Sequence, residues 1–183
     1  MSGDTELNIT TEPHWKMLLQ AVWPPIFVSA LCWAAVYQGF LLFHTAAEMF
    51  SIAVAVAAMM VASTSRKFVT QHFVVFVSIA IGWCAGLDLI HTLAFKGMHL
   101  LPGESANPAT QLWVAARMLQ ALALLVSPLL LQRKLPPGSI HLGFGVIFLL
   151  VIASIVTGLF PTAYIDGQGL TTFKIYTESV VSG

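Results

Sequence analysis

Long apolar runs alternate with short polar segments along the whole chain of 183 residues. Each run has roughly the 20 residues that an α-helix needs to cross a bilayer. The polar segments between the runs are rich in turn-forming and basic residues, which mark loops. The pattern therefore predicts an all-α, polytopic transmembrane helix bundle with five full spans. The predicted spans are residues 18–38, 40–64, 69–95, 109–131 and 139–160.

The composition supports the same fold class. Hydrophobic residues make up 57% of the chain and charged residues only 9%, whereas a soluble domain carries about 25% charged residues. The lipid bilayer is thus the expected partner, and a net charge of zero gives no indication of a nucleic-acid partner. Cys32 and Cys84 lie inside apolar runs and are interpreted as small buried residues.

The basic residues predict an orientation, because short cytoplasmic loops carry an excess of Lys and Arg. If the spans alternate, Lys96 and Lys174 fall on one side of the membrane and five other basic residues on the opposite side. This distribution places the N-terminal segment, residues 1–17, in the cytoplasm and the loops 96–108 and 161–174 outside. The five residues on the cytoplasmic side are Lys16, Arg66, Lys67, Arg133 and Lys134.

The last ten residues, KIYTESVVSG, have the character of a further helix. A full span would need about twice that length. We therefore expect the sequence to hold only the start of a sixth span, with the rest of it and any following domain lying beyond residue 183.

Ionisable residues inside the spans are costly in a membrane and are functional candidates by default. Four lie within spans, namely Glu48, Asp88, His91 and Arg117, and His44 lies at the entrance of the second span. The spacings i, i+4 in the second span and i, i+3 in the third place each pair on one helix face. Counting about 1.5 Å per residue from the outer surface predicts His44 at the depth of His91, and Glu48 at the depth of Asp88.

This layer has an unbalanced charge if both histidines are neutral. Glu48 and Asp88 supply two negative charges, and Arg117 supplies one positive charge. A proton or a bound cation would close the gap, since an unpaired buried charge is strongly disfavoured. Two imidazoles and two carboxylates are suitable ligands for zinc, copper, iron or manganese. The predicted metal ligands are His44, Glu48, Asp88 and His91.

Other interpretations of the same residues stay open. In a purely structural network, Glu48 or Asp88 would pair with Arg117, and the histidines would bond to carbonyls or to threonines. A quinone, a haem held by both histidines, or a small anion on Arg117 are further alternatives. Gln120 lies one turn deeper than Arg117 on the same helix face, and Trp113 near the end of that span is interpreted as an interface anchor.

Four stretches resemble the membrane-associated sensor 3 family of bacteria. They are GLDLIHTLAFKGM at 86–98, NPATQLWVAARMLQALALL at 107–125, FHTAAEMFSIAVAVAA from residue 43 and FPTAYIDGQGLTTFKI from residue 160. The resemblance covers roughly residues 20–180. The positions that match the family's motifs are His44, Glu48, Asp88, His91, Lys96, Gly97, Arg117, Tyr164, Asp166 and Gly169.

The resemblance implies a sensory domain rather than an enzyme. Such domains have six or more membrane helices and stand at the N-terminus of histidine kinases and diguanylate cyclases. They act in two-component or cyclic-di-GMP signalling, and their output domains usually work as dimers. By this resemblance, we expect residues 18–183 to form a sensor domain in the bacterial inner membrane, as part of a homodimer.

The sequence hypothesis is thus a ligand-sensing input domain with a polar pocket in its outer half. The resemblance and the predicted layer together assign five ligand-binding residues beside the metal ligands. A membrane redox or transport protein that uses the same cluster for proton, haem or quinone chemistry is the rival hypothesis. The five ligand-binding residues are Lys96, Arg117, Gln120, Tyr164 and Asp166.

Overall fold

The computed structural model describes residues 14–65, 72–98, 105–130 and 136–182. These residues form six α-helices, one short 3₁₀ turn and a small β-hairpin. The helices are α1 (His14–Gln38), α2 (Phe40–Thr64), α3 (His72–Ala94), α4 (Asn107–Val126), α5 (Pro137–Val156) and α6 (Thr172–Ser182), with the 3₁₀ turn at Ser127–Leu130. The strands β1 (Tyr164–Ile165) and β2 (Gly169–Leu170) lie between α5 and α6.

The predicted fold class is confirmed. Five of the described helices, α1 to α5, are long and apolar enough to cross a membrane. The sixth helix, α6, has 11 residues. Four of the basic residues that predicted the orientation, at positions 66, 67, 133 and 134, lie outside the described residues, as does the middle of the outer loop, residues 99–104. The predicted orientation therefore stays a prediction.

Several span boundaries differ from the predicted ones for local reasons. The fifth span was predicted to reach Phe160, but α5 ends at Val156 because Gly158 adopts a left-handed backbone with φ 72°. The fourth was predicted to reach residue 131, but α4 ends at Val126 and gives way to a 3₁₀ turn that contains Pro128. Proline has no N–H to donate and so interrupts the helical hydrogen-bond ladder.

The chain forms two compact units, residues 1–46 and 47–183, with the boundary inside α2. In the first unit, α1 begins at His14, and Pro24 and Pro25 lie in its interior. Aromatic pairs one turn apart line this helix: Trp23 with Phe27, and Trp33 with Tyr37. Its large apolar side chains are exposed, as expected of a surface that faces lipid.

The second unit has its core where α3, α4 and α5 meet. Ile79 and Leu87 of α3 and Ala116 of α4 are fully buried there, and Phe144 of α5 packs against them. Small residues let the helices approach closely. A Cβ at Gly82 of α3 would overlap the side chain of Met59 on α2, so this glycine allows the contact between those helices.

The hairpin between α5 and α6 was predicted only as a turn-rich loop. Its strands pair in antiparallel register, with Tyr164 opposite Leu170 and Ile165 opposite Gly169. Gly167 and Gly169 have φ values of 83° and 94°, which favour glycine. The hairpin brings the chain back to the N-terminal half of α4, where α6 begins.

Candidate ligand site

Helix α2 supplies the first two polar side chains of the site. His44 and Glu48 are one turn apart on this helix, a spacing that places both on one helix face. The imidazole of His44 stacks on the ring of Phe40 at a centroid distance of 5.8 Å. Both His44 and Glu48 are half-buried in a helix that is otherwise almost entirely apolar.

Helix α3 brings His91 to the carboxylate of Glu48. The ligand atoms of Glu48 and His91 lie within 4.8 Å of each other. His91 is only 5% exposed. A carboxylate and an imidazole from two different helices therefore meet inside an apolar bundle, which is the arrangement that helical bundles use to hold metal ions.

A backbone contact fixes the orientation of the His91 ring. Its Nδ1 lies 2.8 Å from the carbonyl oxygen of Ala109 on α4. Because a carbonyl oxygen can only accept a hydrogen bond, Nδ1 carries the proton. In the neutral ring, Nε2 then keeps its lone pair and can bind a metal, and carbonyl contacts of this kind commonly support metal-binding histidines.

A separate ion pair joins α3 to α4. Nη2 of Arg117 donates to Oδ2 of Asp88, and Nη1 of Arg117 donates to Oε1 of Gln120 at 2.8 Å. Asp88 is 6% exposed. Part of the structural network considered from the sequence is thus present: an acid pairs with Arg117, and a histidine bonds to a carbonyl.

A cavity of about 60 Å³ adjoins this ion pair. Its polar lining comes from Asp88, Arg117, Gln120 and Ser51, and its apolar lining from residues of α2 and α3. Oδ1 of Asp88 and Nε of Arg117 are buried and have no hydrogen-bond partner within the described residues. A polar cavity of this size has room for about two water molecules.

The charges of the described part of the second unit leave Glu48 without a cation. Asp88 is balanced by Arg117, and Glu178 is balanced by Lys174. Among the described residues, Glu48 forms no ion pair. A half-buried carboxylate beside an imidazole, in an apolar environment, is an electrostatic site for a cation.

Comparison with known families decides what kind of domain this is. A family model described as a membrane-associated sensor domain, MASE3, matches residues 35–183. This chain belongs to the MASE3 family. Comparisons with curated proteins and with solved structures gave no significant match. The family suggested by the sequence is confirmed, and with it the role of a membrane-associated sensor domain.

Three predicted ligand-binding residues of this MASE3 domain lie in its connecting segments. Lys96 is exposed in the turn after α3, and Asp166 is exposed in the hairpin. Tyr164 is half-buried in β1, and its backbone N–H donates to Oδ1 of Asn107 at 2.9 Å. None of the contacts found among the described residues brings these three side chains to Glu48 and His91.

Sequence reasoning missed a second polar cluster of the MASE3 domain. Lys174 of α6 is 6% exposed, and its Nζ lies 3.8 Å from the centre of the Trp113 ring on α4. The same Nζ lies 2.6 Å from Oε2 of Glu178. The i, i+4 spacing of Lys174 and Glu178 was a usable signal, but Lys174 had been interpreted only as a basic residue of the outer loop.

Two amide side chains of α4 hold the β-hairpin segment. Oδ1 of Asn107 accepts hydrogen bonds from the N–H groups of Ala163 and Tyr164, both at 2.9 Å. Nε2 of Gln111 donates to the carbonyls of Phe160 and Pro161 at 3.1 and 3.0 Å. Both amides lie in the NPATQ stretch that carried the family resemblance, so that stretch has a clear structural role.

Proposed function

We propose that this MASE3 domain senses a divalent transition-metal ion, with zinc, copper or iron as the candidates. The domain would act as the input of a histidine kinase or diguanylate cyclase in the bacterial inner membrane. The observation that carries the proposal is the approach of Glu48 and His91 to within 4.8 Å across two helices. Both groups are ligands that these metals accept.

His44 is the proposed third ligand. It lies one turn before Glu48, on the same face of α2 by its i, i+4 spacing. Two neutral imidazoles and one carboxylate around a divalent ion would leave a net charge of +1, less than that of the free ion. Three protein ligands would also leave one coordination position of a tetrahedral ion open to water or another small molecule.

Asp88 was predicted from the sequence as a further ligand, and this stays a prediction. Its ion pair with Arg117 favours a supporting role instead. A carboxylate that is neutralised by a guanidinium has less negative charge to offer a cation than the Glu48 carboxylate, which has no such partner. The Asp88–Arg117 pair would then hold α3 against α4 one turn away from His91.

Metal binding would act on the helices by preferring one of their arrangements. A ligand set drawn from α2 and α3 is complete only when these helices lie close together. The metal would therefore stabilise the closed arrangement, and the change would pass through α4 and α6 to an output domain on the cytoplasmic side. A homodimer would be the signalling unit.

The direct test is metal analysis of the purified domain in detergent after loading with Zn²⁺, Cu²⁺ or Fe²⁺. We expect about one ion per chain in the wild type, and at least a tenfold weaker affinity in His91→Ala, Glu48→Gln and His44→Ala. His72→Ala is the matched control. His72 lies on the same helix as His91, but about 28 Å away at about 1.5 Å per residue, so its loss should leave metal binding unchanged.

Each alternative predicts a different result. An absorption spectrum of the same samples would reveal a bound haem by its Soret band, and extraction would reveal a quinone. If the wild type holds no metal after loading, or if His72→Ala weakens binding as much as His91→Ala, the metal proposal is wrong. Affinity for the metal should also fall at acid pH, because protons compete for the imidazole and carboxylate ligands.

A further inference from the structure

Lys174 is a buried cation that joins two helices. Its side chain is 8% exposed, although an ammonium group is costly to bury without partners. The Trp113 ring, 3.8 Å away on α4, is the partner that lies outside α6. We propose that Lys174 holds α6 on α4 and thereby transmits changes at the candidate site to α6; the transmission rests on the proposed function.

Helix α4 contacts both the candidate site and Lys174. Its Ala109 carbonyl accepts the hydrogen bond from His91, and its Arg117 pairs with Asp88. Trp113 lies four residues from each of these two positions, so the three share one helix face. Any displacement of α4 that follows from a change at His91 or Asp88 therefore carries Trp113 with it.

The segment before α6 is fastened to the same helix. Asn107 and Gln111 bond to the backbone of residues 160–164, as described above. The backbone N–H of Lys174 donates to Oγ1 of Thr171 at 3.3 Å, which caps the first turn of α6. Polar contacts thus link the N-terminal half of α4 to the hairpin and to the start of α6. Within α6 itself, Lys174 makes such a contact with α4.

Metal binding at His91 would be the first step of the proposed transmission. A metal ion on Nε2 would withdraw electron density from the ring and make Nδ1–H a stronger donor. The hydrogen bond to the Ala109 carbonyl would then tighten, and α4 would settle closer to α3. Because Lys174 holds α6 on Trp113, α6 would follow α4 instead of staying in place.

Distance measurements between spin labels can follow α6 directly. Labels at Leu149 on α5 and Val180 on α6 would report on it, since these side chains are 67% and 81% exposed and lie outside the buried core. The chain would be placed in lipid nanodiscs, with Cys32→Ala and Cys84→Ala in every version. Zn²⁺ alone is the probe, because it is diamagnetic, and bound zinc is counted on the same samples. The test variants are Lys174→Met and, as the conservative control, Lys174→Arg.

We expect Zn²⁺ to shift the label distance in the wild type by on the order of 1–2 Å, the size of a helix shift. Lys174→Met should bind zinc as the wild type does and show no shift, because it keeps the length of the side chain but loses its charge. Lys174→Arg should restore the shift, since a guanidinium also stacks on aromatic rings. An equal shift in Lys174→Met, or no shift in a zinc-loaded wild type, would overturn the inference. So would loss of zinc binding in Lys174→Met, which indicates a general structural role.

The metal-free samples separate this inference from the proposed function. If the wild type binds none of the three candidate metals, the metal proposal fails, and the transmission of a metal signal fails with it. The metal-free distances still test whether Lys174 holds α6 on α4. Lys174→Met should broaden the distribution of label distances, and Lys174→Arg should not. A Lys174→Met distribution identical to that of the wild type would show that Lys174 does not hold α6 on α4.

Discussion

Helix α4 takes part in two buried charge clusters whose partners are arranged differently. Arg117 of α4 pairs with Asp88 of α3, where the acid side chain is 9% exposed and the base 30% exposed. Trp113 of α4 contacts Lys174, where the base is 8% exposed and its acid partner Glu178 is 44% exposed. In the first cluster the acid is the buried member, and in the second the base is buried.

The difference determines what a broken pair leaves behind. Asp88 depends on Arg117 for its charge balance, and its other oxygen has no partner within the described residues. Lys174 has two partners, a carboxylate and an aromatic face, and Glu178 can reach the surface. Removing Arg117 therefore leaves a buried carboxylate without a charge partner. Removing Glu178 leaves Lys174 its aromatic partner, and removing Lys174 leaves a part-exposed Glu178.

The largest effect is expected from Arg117→Gln. The substitution strands the Asp88 carboxylate, so we expect a loss of about 3 kcal/mol in the free energy of unfolding, near the lower end for breaking a buried pair. The partial exposure of Arg117 keeps the loss from being greater. Unfolding of the detergent-solubilised domain by a titration with SDS measures it.

A double variant serves as the control for this prediction. Asp88→Asn/Arg117→Gln removes both charges and should be more stable than Arg117→Gln alone, because no charge is left unpaired. Losses that simply add in the double variant would show that the two side chains are not coupled, contrary to the structure.

The sequence indicated the first cluster but gave little indication of the second, for a physical reason. Ionisable residues such as Asp88 and Arg117 stand out against a long apolar run, and their depth in the membrane can be estimated from helix rise. Lys174 lies in a short helix of mixed polarity after a turn-rich segment. Its i, i+4 spacing to Glu178 indicates an ion pair, but the local pattern does not show that the lysine is buried, because the burial depends on Trp113, a residue 61 positions away in the chain.

The relative depth of α2 and α3 could be predicted only to about one turn. Counting from the ends of the spans paired Glu48 with Asp88, whereas the structure brings Glu48 to His91. The axial offset of two helices depends on their packing, and here Gly82 meets Met59. Hydropathy determines where a span lies but contains no information about this contact, so the sequence could not show that Glu48 lies beside His91 instead of one turn away.

A smaller effect is expected from Lys174→Met. The variant loses the cation–π contact and the pair with Glu178, but the methionine still fills the space and leaves no buried charge. We expect a loss of about 1–2 kcal/mol in the free energy of unfolding, measured by the same titration. Trp113→Leu should cost more than Lys174→Met, since it keeps the buried ammonium group but removes its aromatic partner and leaves it only the part-exposed Glu178. Equal stability of Lys174→Met and wild type would show that the second cluster contributes nothing to folding.

The smallest effect is expected from Glu178→Gln, and it shows which partner matters to Lys174. The glutamine keeps a hydrogen-bond acceptor at the same place, and the ammonium group keeps the Trp113 ring. A pair at i, i+4 with one exposed member contributes about 0.5 kcal/mol or less, so the unfolding titration should change by no more than that. If Glu178→Gln instead costs as much as Lys174→Met, the carboxylate rather than the ring holds the lysine. The contact between α6 and α4 would then depend on the ion pair within α6. The two clusters would no longer differ in what holds the buried charge.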